Sequence, residues 1–562
     1  MSGTGAPTAH GSARGPSLAP ALHAAAPPAP LATRPWVGIL AVLCGAFIST
    51  VTGRLSTFGL NDIKGAVHAG FDEGAWITTA QTCAQMLIGP PAVWMGMAFG
   101  PRRVLVVSTL VFALASALLP LSPNLGVLLG LQALTGLASG TFIPLTISFV
   151  LRNLDPRYWA FGIAAYALNL ELSLNIAATL EGFYVEHLSW HWIFWQSVPL
   201  ALLMAWCVHR GIPKEPINWP LARGADWFGM ASLSVGLAMA FAALDQGNRL
   251  DWLGSGLVVG LLAGGALLVA AFLVHERLSA SPWINLGFAA RGPIPLLMLL
   301  VALLRLAILS TALLLPQFLA TVQGYRALQT GPALLAIAAP QLVLAPLAGL
   351  LLRRLDARLP MAAGFALVGL ACWLVARGIT RDWVTADFLP SQAIQAVGQT
   401  LAMSSLVFFS VLNLKPADAM TFGALLQTAR LFGGECGAAV MGTYLRVREQ
   451  VASNLIGLHV QAGAPLTAER LQGYAAAVQA RSQGASGAGE RATGLLAQAV
   501  RAQATVQSYV DGFALVALIM AGALVLVALL GPAPRGPASP VPLRRRPAAP
   551  SAAGPAGEVE AS

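Results

Sequence analysis

The chain has 562 residues, of which 56% are hydrophobic and only 10% charged. An ordinary globular protein carries about 25% charged residues, so a water-soluble domain is excluded. The net charge of +10 would suit nucleic acid, but the basic residues stand in short loops between apolar runs, where membrane topology accounts for them and no nucleic-acid partner is expected.

The first 35 residues are rich in Ala, Pro and Gly, lack a cleavable signal and are expected as a disordered tail. Fourteen apolar runs follow, near residues 36–60, 75–99, 103–121, 125–149, 158–182, 190–209, 226–244, 253–274, 293–319, 328–352, 360–377, 386–412, 420–445 and 508–530. Each approaches the roughly 20 residues that cross a bilayer as a helix. They are continuous rather than alternating, which predicts helices and not a barrel. The expected class is an all-α integral membrane protein with fourteen transmembrane helices, here numbered spans 1 to 14. Transporters commonly repeat a six-span unit. Residues 36–210 and 293–531 suit two such bundles, with an inserted pair of spans in 211–292 and a second disordered tail in 532–562.

Orientation follows from the basic loops. One set holds Arg102 and Arg103, Arg152 and Arg157, Arg210 with Lys214 and Arg223, Arg277 and Arg291, and Arg353 with Arg354 and Arg358. The alternate loops are poorer in Lys and Arg, so the rich set and both termini are expected in the cytoplasm. The long polar stretch 446–507 then falls outside. It contains helical-looking pieces, from Leu466 to Gln483 and from Glu490 to Gln507. It reads either as a disordered insert or as a helical hairpin that touches a periplasmic partner.

All five cysteines (Cys44, Cys83, Cys207, Cys372, Cys436) lie in apolar runs without metal spacing and read as packing residues. There is no GxxxxGK[ST] phosphate loop. No cofactor, metal or enzymatic activity is expected, and ATP does not power the protein directly.

Ionisable residues at membrane depth are costly and mark candidate functional sites. In span 5, Ala164, Ala167, Glu171, Asn175, Ala178 and Gly182 recur at helical spacing as one small, polar stripe. Such a stripe faces the bundle interior rather than lipid. Glu171 reads as a coupling carboxylate or as half of a structural ion pair. Glu181 stands off the stripe near the outer end. If the halves are repeats, Arg54 on span 1 corresponds to Arg305 on span 9, and Glu171 on span 5 to Arg430 and Glu435 on span 13. Two arginines facing one cavity would favour an anionic substrate; alternatively they only pair with Glu171 and Glu435. By depth alone, Arg54 and Glu171 are expected to meet.

Several stretches resemble a known family. They are Leu188-Ser-Trp-His-Trp-Ile-Phe-Trp-Gln-Ser-Val-Pro199, Asp226-Trp-Phe-Gly229, Leu244-Asp-Gln-Gly247 with Trp252, the run Leu315 to Tyr325, Pro346-Leu-Ala-Gly349, and Gln427-Thr-Ala-Arg430 with Gly433, Gly434 and Gly437. Together they are similar to the fourteen-span drug:proton antiporters of the EmrB/QacA type, within the major facilitator superfamily. The resemblance implies a major facilitator fold, two six-helix bundles plus two inserted helices, working by alternating access in a bacterial inner membrane. It further implies proton-coupled export of drugs or other small organic molecules, with a periplasmic membrane-fusion adaptor and an outer-membrane channel as partners. The alternative is an importer or uniporter of an organic anion using non-standard coupling residues.

The chain departs from the family where coupling residues usually stand. The loop after span 2 reads Gly100-Pro-Arg102-Arg103 and lacks the usual acid. Span 4 reads Gln132-Ala-Leu-Thr135-Gly136 without the usual arginine. Span 5 keeps only Gly182 of its G-P-x-x-G-G motif. The substrate- or proton-coupling candidates are therefore Arg54, Glu171, Asn175, Glu181, Gln132, Arg305, Arg430 and Glu435.

Overall fold

The computed structural model describes residues 34–533 except 280–282, 285, 415–418, 462 and 482–486. Nearly all of both expected tails lies outside the described residues. Among the described residues every regular element is a helix. Twelve helices are long and apolar enough to cross a membrane by length and composition. Spans 2 and 13, the helices Trp76–Phe99 and Ala419–Gly457, are long enough at 24 and 39 residues. They fall short of that composition because they carry polar residues such as Thr79, Gln81 and Gln85, or Gln427, Arg430 and Glu435. The structure thus qualifies twelve of the fourteen expected spans by apolarity and adds two long, more polar helices.

Local chemistry sets many of the helix ends. Asn124 Oδ1 accepts from Val127 N at 2.9 Å and caps span 4; Asp226 Oδ1 accepts from Gly229 N at 2.9 Å and caps span 7. Gly100 takes φ +86° between spans 2 and 3, a conformation a side chain would strain, and Pro101 then opens the next helix. Span 4 breaks between Leu125–Ser139 and Phe142–Asn153. There Gly140 lets the backbone of span 2 approach so closely that a Cβ would stand 3.0 Å from Gln85 O.

The amino-terminal spans pack around two cores, one holding Ile39, Phe112, Phe142 and Met204, the other Val51, Leu55, Ile193 and Phe194. The carboxy-terminal spans share a larger core with the bundle-facing side of span 5, the helix Trp159–His187. Small residues bring span 5 against span 10, the helix Ala327–Arg354. A Cβ on Gly182 would stand 2.5 Å from Leu328 N, and one on Gly349 would stand 3.3 Å from Phe161 Cα. On the opposite side of the molecule spans 2 and 13 meet at Gly89 with Gln427 and at Gly423 with Val93. Spans 7 and 8, Trp227–Gly247 and Gly256–Leu278, dock on that second seam. Trp94, Met230, Phe272, Trp283 and Ala424 form a core there, with the Trp94 and Trp227 rings edge to face at 5.4 Å.

Most of the described part of 446–507 is helical. Span 13 runs on to Gly457, Pro465–Arg481 forms a separate helix, and Ala488–Ala528 continues into span 14 without a break. The helix Pro465–Arg481 packs against Ala488–Ala528. Arg448 Nε pairs with Asp511 at 2.6 Å and ties the two long helices together. At the other end of the bundle, Arg358 Nη1 donates to Leu530 O at 3.0 Å and clamps span 11 to span 14. Burial opposes charge on Asp356, but the Arg358 N–H and guanidinium and the Ala533 N–H outweigh it and hold the carboxyl below its ordinary value.

Candidate functional site: a charged centre between the two bundles

Span 9 begins as the helix Ile294–Leu309, widens into a π-helical turn at Ser310–Leu314 and continues as Leu315–Val322. Such widened turns release backbone groups and often mark functional sites. Here Arg54 crosses from span 1, the helix Pro35–Phe58, and its Nη2 donates to Ala312 O at 2.7 Å. The Arg54 guanidinium also lies 5.1 Å from the centroid of the Phe58 ring. Buried glutamines of span 12 reach the same turn: Gln395 Nε2 donates to Ser310 Oγ at 3.0 Å, and Gln399 Nε2 to Thr311 Oγ1 at 3.3 Å.

Below that turn stand Glu171, Arg305 and Arg430. Glu171 is 1% exposed, and neither of its carboxylate oxygens has a hydrogen-bond partner. The cations that act on it are Arg305 and Arg430. Arg430 is 4% exposed and donates to Gln427 Oε1 through Nε at 3.3 Å and Nη2 at 3.1 Å. Arg305 is part-buried, yet its Nε and Nη1 are buried without a partner. It has room because Gly434 faces it and Gly433 lies against Ala302. Tyr166, buried one turn and a half before Glu171, stands in the neighbourhood of Arg305 and Arg430 as a neutral phenol.

Four of the sequence candidates therefore converge, two from each half, but not in the expected pairs. Arg54 does not hydrogen-bond Glu171; it bonds the π turn, and the charge acting on it is Arg305. Matching depths along two helices says nothing about which way each side chain faces, and that is why the expected pair fails. Asn175 donates to the Glu171 main-chain oxygen at 2.9 Å and supports the helix rather than the carboxylate. Gln132 is fully buried and its Oε1 accepts from Thr135 Oγ1 at 3.3 Å, away from this centre. Glu181 belongs to a separate group near the carboxy-terminal end of span 5, with Asp62, Glu186 and Arg326.

Glu435 also leaves the expected arrangement: the charge beside it is no arginine but the Asp245 carboxyl at the end of span 7. Asp245 is further held by Thr79 of span 2 and by Gln246 Nε2 at 2.8 Å. Arg249 closes the chain, donating to Gln246 Oε1 at 2.8 Å and to Asp72 at 2.5 Å. One residue of the inserted pair thus touches both bundles. Sequence reasoning missed Asp245, Thr79 and Tyr166. Asp245 was visible only as part of a family-like Leu-Asp-Gln-Gly span end, and Thr79 and Tyr166 carry no charge to draw notice.

The comparisons with known proteins agree with this architecture. The family model described as Major Facilitator Superfamily matches residues 42–438. The probable multidrug resistance protein EmrY of Escherichia coli is 25% identical over 357 residues, 63% of this chain and 68% of its own. The multidrug export protein EmrB of Haemophilus influenzae is 22% identical, covering 76% of this chain and 84% of its own. The fatty acid resistance protein FarB of Neisseria gonorrhoeae is 23% identical, covering 77% and 85%. The crystal structure of the human organic anion transporter MFSD10 (TETRAN) shares the fold, with a TM-score of 0.51 at 14% identity, over 86% of this chain and 99% of that one. Arg54, Glu171, Asp245, Arg305, Arg430 and Glu435 all lie inside the matched segment, and the chain belongs to the Major Facilitator Superfamily.

Proposed function

We propose that this protein is a secondary active exporter that moves drug-like small organic molecules out across a bacterial inner membrane, driven by the proton gradient. The names of its relatives support export. The observation that carries the reading is the centre at Glu171, Arg305 and Arg430, which lies where the two bundles meet. Alternating access would part the span 5 and span 10 seam on one side and close it on the other. Inside-out vesicles containing the protein test this. Imposing a proton gradient, acid inside, should drive dye accumulation; accumulation that ignores the gradient would rule out proton coupling.

A second reading, an importer or uniporter of an organic anion, is favoured by the excess of arginines over acids in the centre.

The orientation belongs to the same proposal: both termini in the cytoplasm and the helix Pro465–Arg481 in the periplasm. Its support is the asymmetry of the basic loops. Ala476→Cys in a cysteine-free background should react with an impermeant maleimide on intact cells. Reaction only after lysis would invert the topology.

The long helices Ala419–Gly457 and Ala488–Ala528 are each about 60 Å long at 1.5 Å per residue, against a hydrocarbon core of about 30 Å. On the projecting part of the first, Val447, Val451 and Leu455 form an exposed apolar stripe at helical spacing. We read this hairpin as the dock for a periplasmic membrane-fusion adaptor, joined in turn to an outer-membrane channel. Deleting Pro465–Arg481 should abolish co-purification with the adaptor; undiminished co-purification would dismiss the dock.

A further inference from the structure

We infer that the arginine centre binds the carboxylate group of an anionic organic substrate. This deepens the export proposal and rests on it only for the direction of transport. Arg54, Arg305 and Arg430 bring three guanidiniums toward the centre, and among the residues acting on them Glu171 is the one carboxylate. Arginine stays protonated in proteins, so the centre carries an excess of positive charge. Arg54 Nε, Arg305 Nε and Arg305 Nη1 are buried without a hydrogen-bond partner, as are both oxygens of Glu171. Buried donors on two of the arginines and both acceptors of Glu171 are thus left without a direct hydrogen bond in one centre. Leaving charged donors unmet in a dry interior is costly, and a bound anion would meet them.

The shape of the donors selects the ligand. A guanidinium presents a planar fork that matches a carboxylate with two parallel hydrogen bonds. Glu171 is itself a carboxylate set among these forks, so a substrate carboxylate is a chemical equivalent of a group the site already holds. The two then compete for the same donors. The arginines come from spans 1, 9 and 13 of opposite bundles, so a bound carboxylate would bridge the parts that must move relative to one another. Its organic remainder would lie between the bundles, near Phe58 and Tyr166.

The test is binding to the purified full-length protein in nanodiscs, with no gradient present. Three probes share one aromatic body: 1-naphthylacetate, 1-naphthylacetamide and 1-naphthylmethylammonium. The acetate should bind about tenfold or more tighter than the other two. Arg305→Gln and Arg430→Gln should each weaken acetate binding about tenfold or more. Glu171→Gln should tighten it about tenfold, because the internal competitor is gone. That gain of affinity cannot come from a misfolded protein. Preference for the ammonium, equal binding of all three probes, no binding of the acetate (water alone in the centre) or weaker binding in Glu171→Gln would each overturn the inference. If the acetate binds as expected but inside-out vesicles show no accumulation, only the export reading falls.

Discussion

Glu171→Gln should abolish gradient-driven export while the protein still reaches the membrane. Glu171 is 1% exposed and makes no hydrogen bond of its own. It is the carboxylate that acts on Arg305 and Arg430. Removing its charge leaves the guanidiniums to repel one another across a low-dielectric interior. Breaking a buried charge pair from one side typically costs about 3–5 kcal/mol. The variant should therefore melt well below wild type and show no proton-driven efflux in proteoliposomes. Tighter carboxylate binding in the same variant is consistent with this: a substrate held without its competitor is not released. Wild-type efflux by Glu171→Gln across the pH range would reduce the residue to a structural role.

Gly182→Leu and Gly349→Leu should both stop transport, and they should do so in opposite states. Gly182 lies at the end of the span 5 and span 10 seam that the proposed topology puts outside, where a Cβ would stand 2.5 Å from Leu328 N. Backbone cannot yield as a flexible side chain can, so the added bulk prevents that end from closing. Gly349 lies at the other end, against Phe161. Overpacking a tight contact typically costs about 1–3 kcal/mol. If that cost falls on one of two conformations, the balance shifts by roughly tenfold to a hundredfold. Cysteine accessibility should rise on the outer side in Gly182→Leu and on the inner side in Gly349→Leu. Identical accessibility in the two variants would mean that this seam is not the gate.

Much of this architecture was legible in the sequence because the bilayer imposes it. A span needs about 20 apolar residues, and that requirement places helix after helix with little ambiguity. The stripe from Ala164 to Gly182 gave a close helix approach and the inward aim of Glu171, since small residues at helical spacing allow a near neighbour, but not that the neighbour is span 10. The helical pieces of 446–507 were visible through Pro465 and the Ala- and Gln-rich runs behind it. What depended on rotation between distant helices was not legible. Arg54 and Glu171 lie at similar depths, but depth leaves azimuth open, and Arg54 turned toward the Ser310–Leu314 turn. That turn had no sequence signal. Glu435 was recognised as a buried acid, whereas its partner Asp245 sits at a span end, where acids are common. Only the docking of span 7 on spans 2 and 13 brings the two together.

If Glu171 and Arg305 act as one unit across the bundle boundary, substitutions at the two must be coupled. A double-mutant cycle on thermal stability in nanodiscs tests it most directly, using Glu171→Gln, Arg305→Gln and the pair, with Arg54→Gln as the comparison. Residues in one charge network couple by about 0.5–3 kcal/mol, whereas independent sites add within about 0.5 kcal/mol. Coupling of at least about 1 kcal/mol is expected between Glu171 and Arg305, with the double mutant more stable than Glu171→Gln alone, and weaker coupling between Glu171 and Arg54. Additive effects at Glu171 and Arg305, or stronger coupling to Arg54, would contradict it.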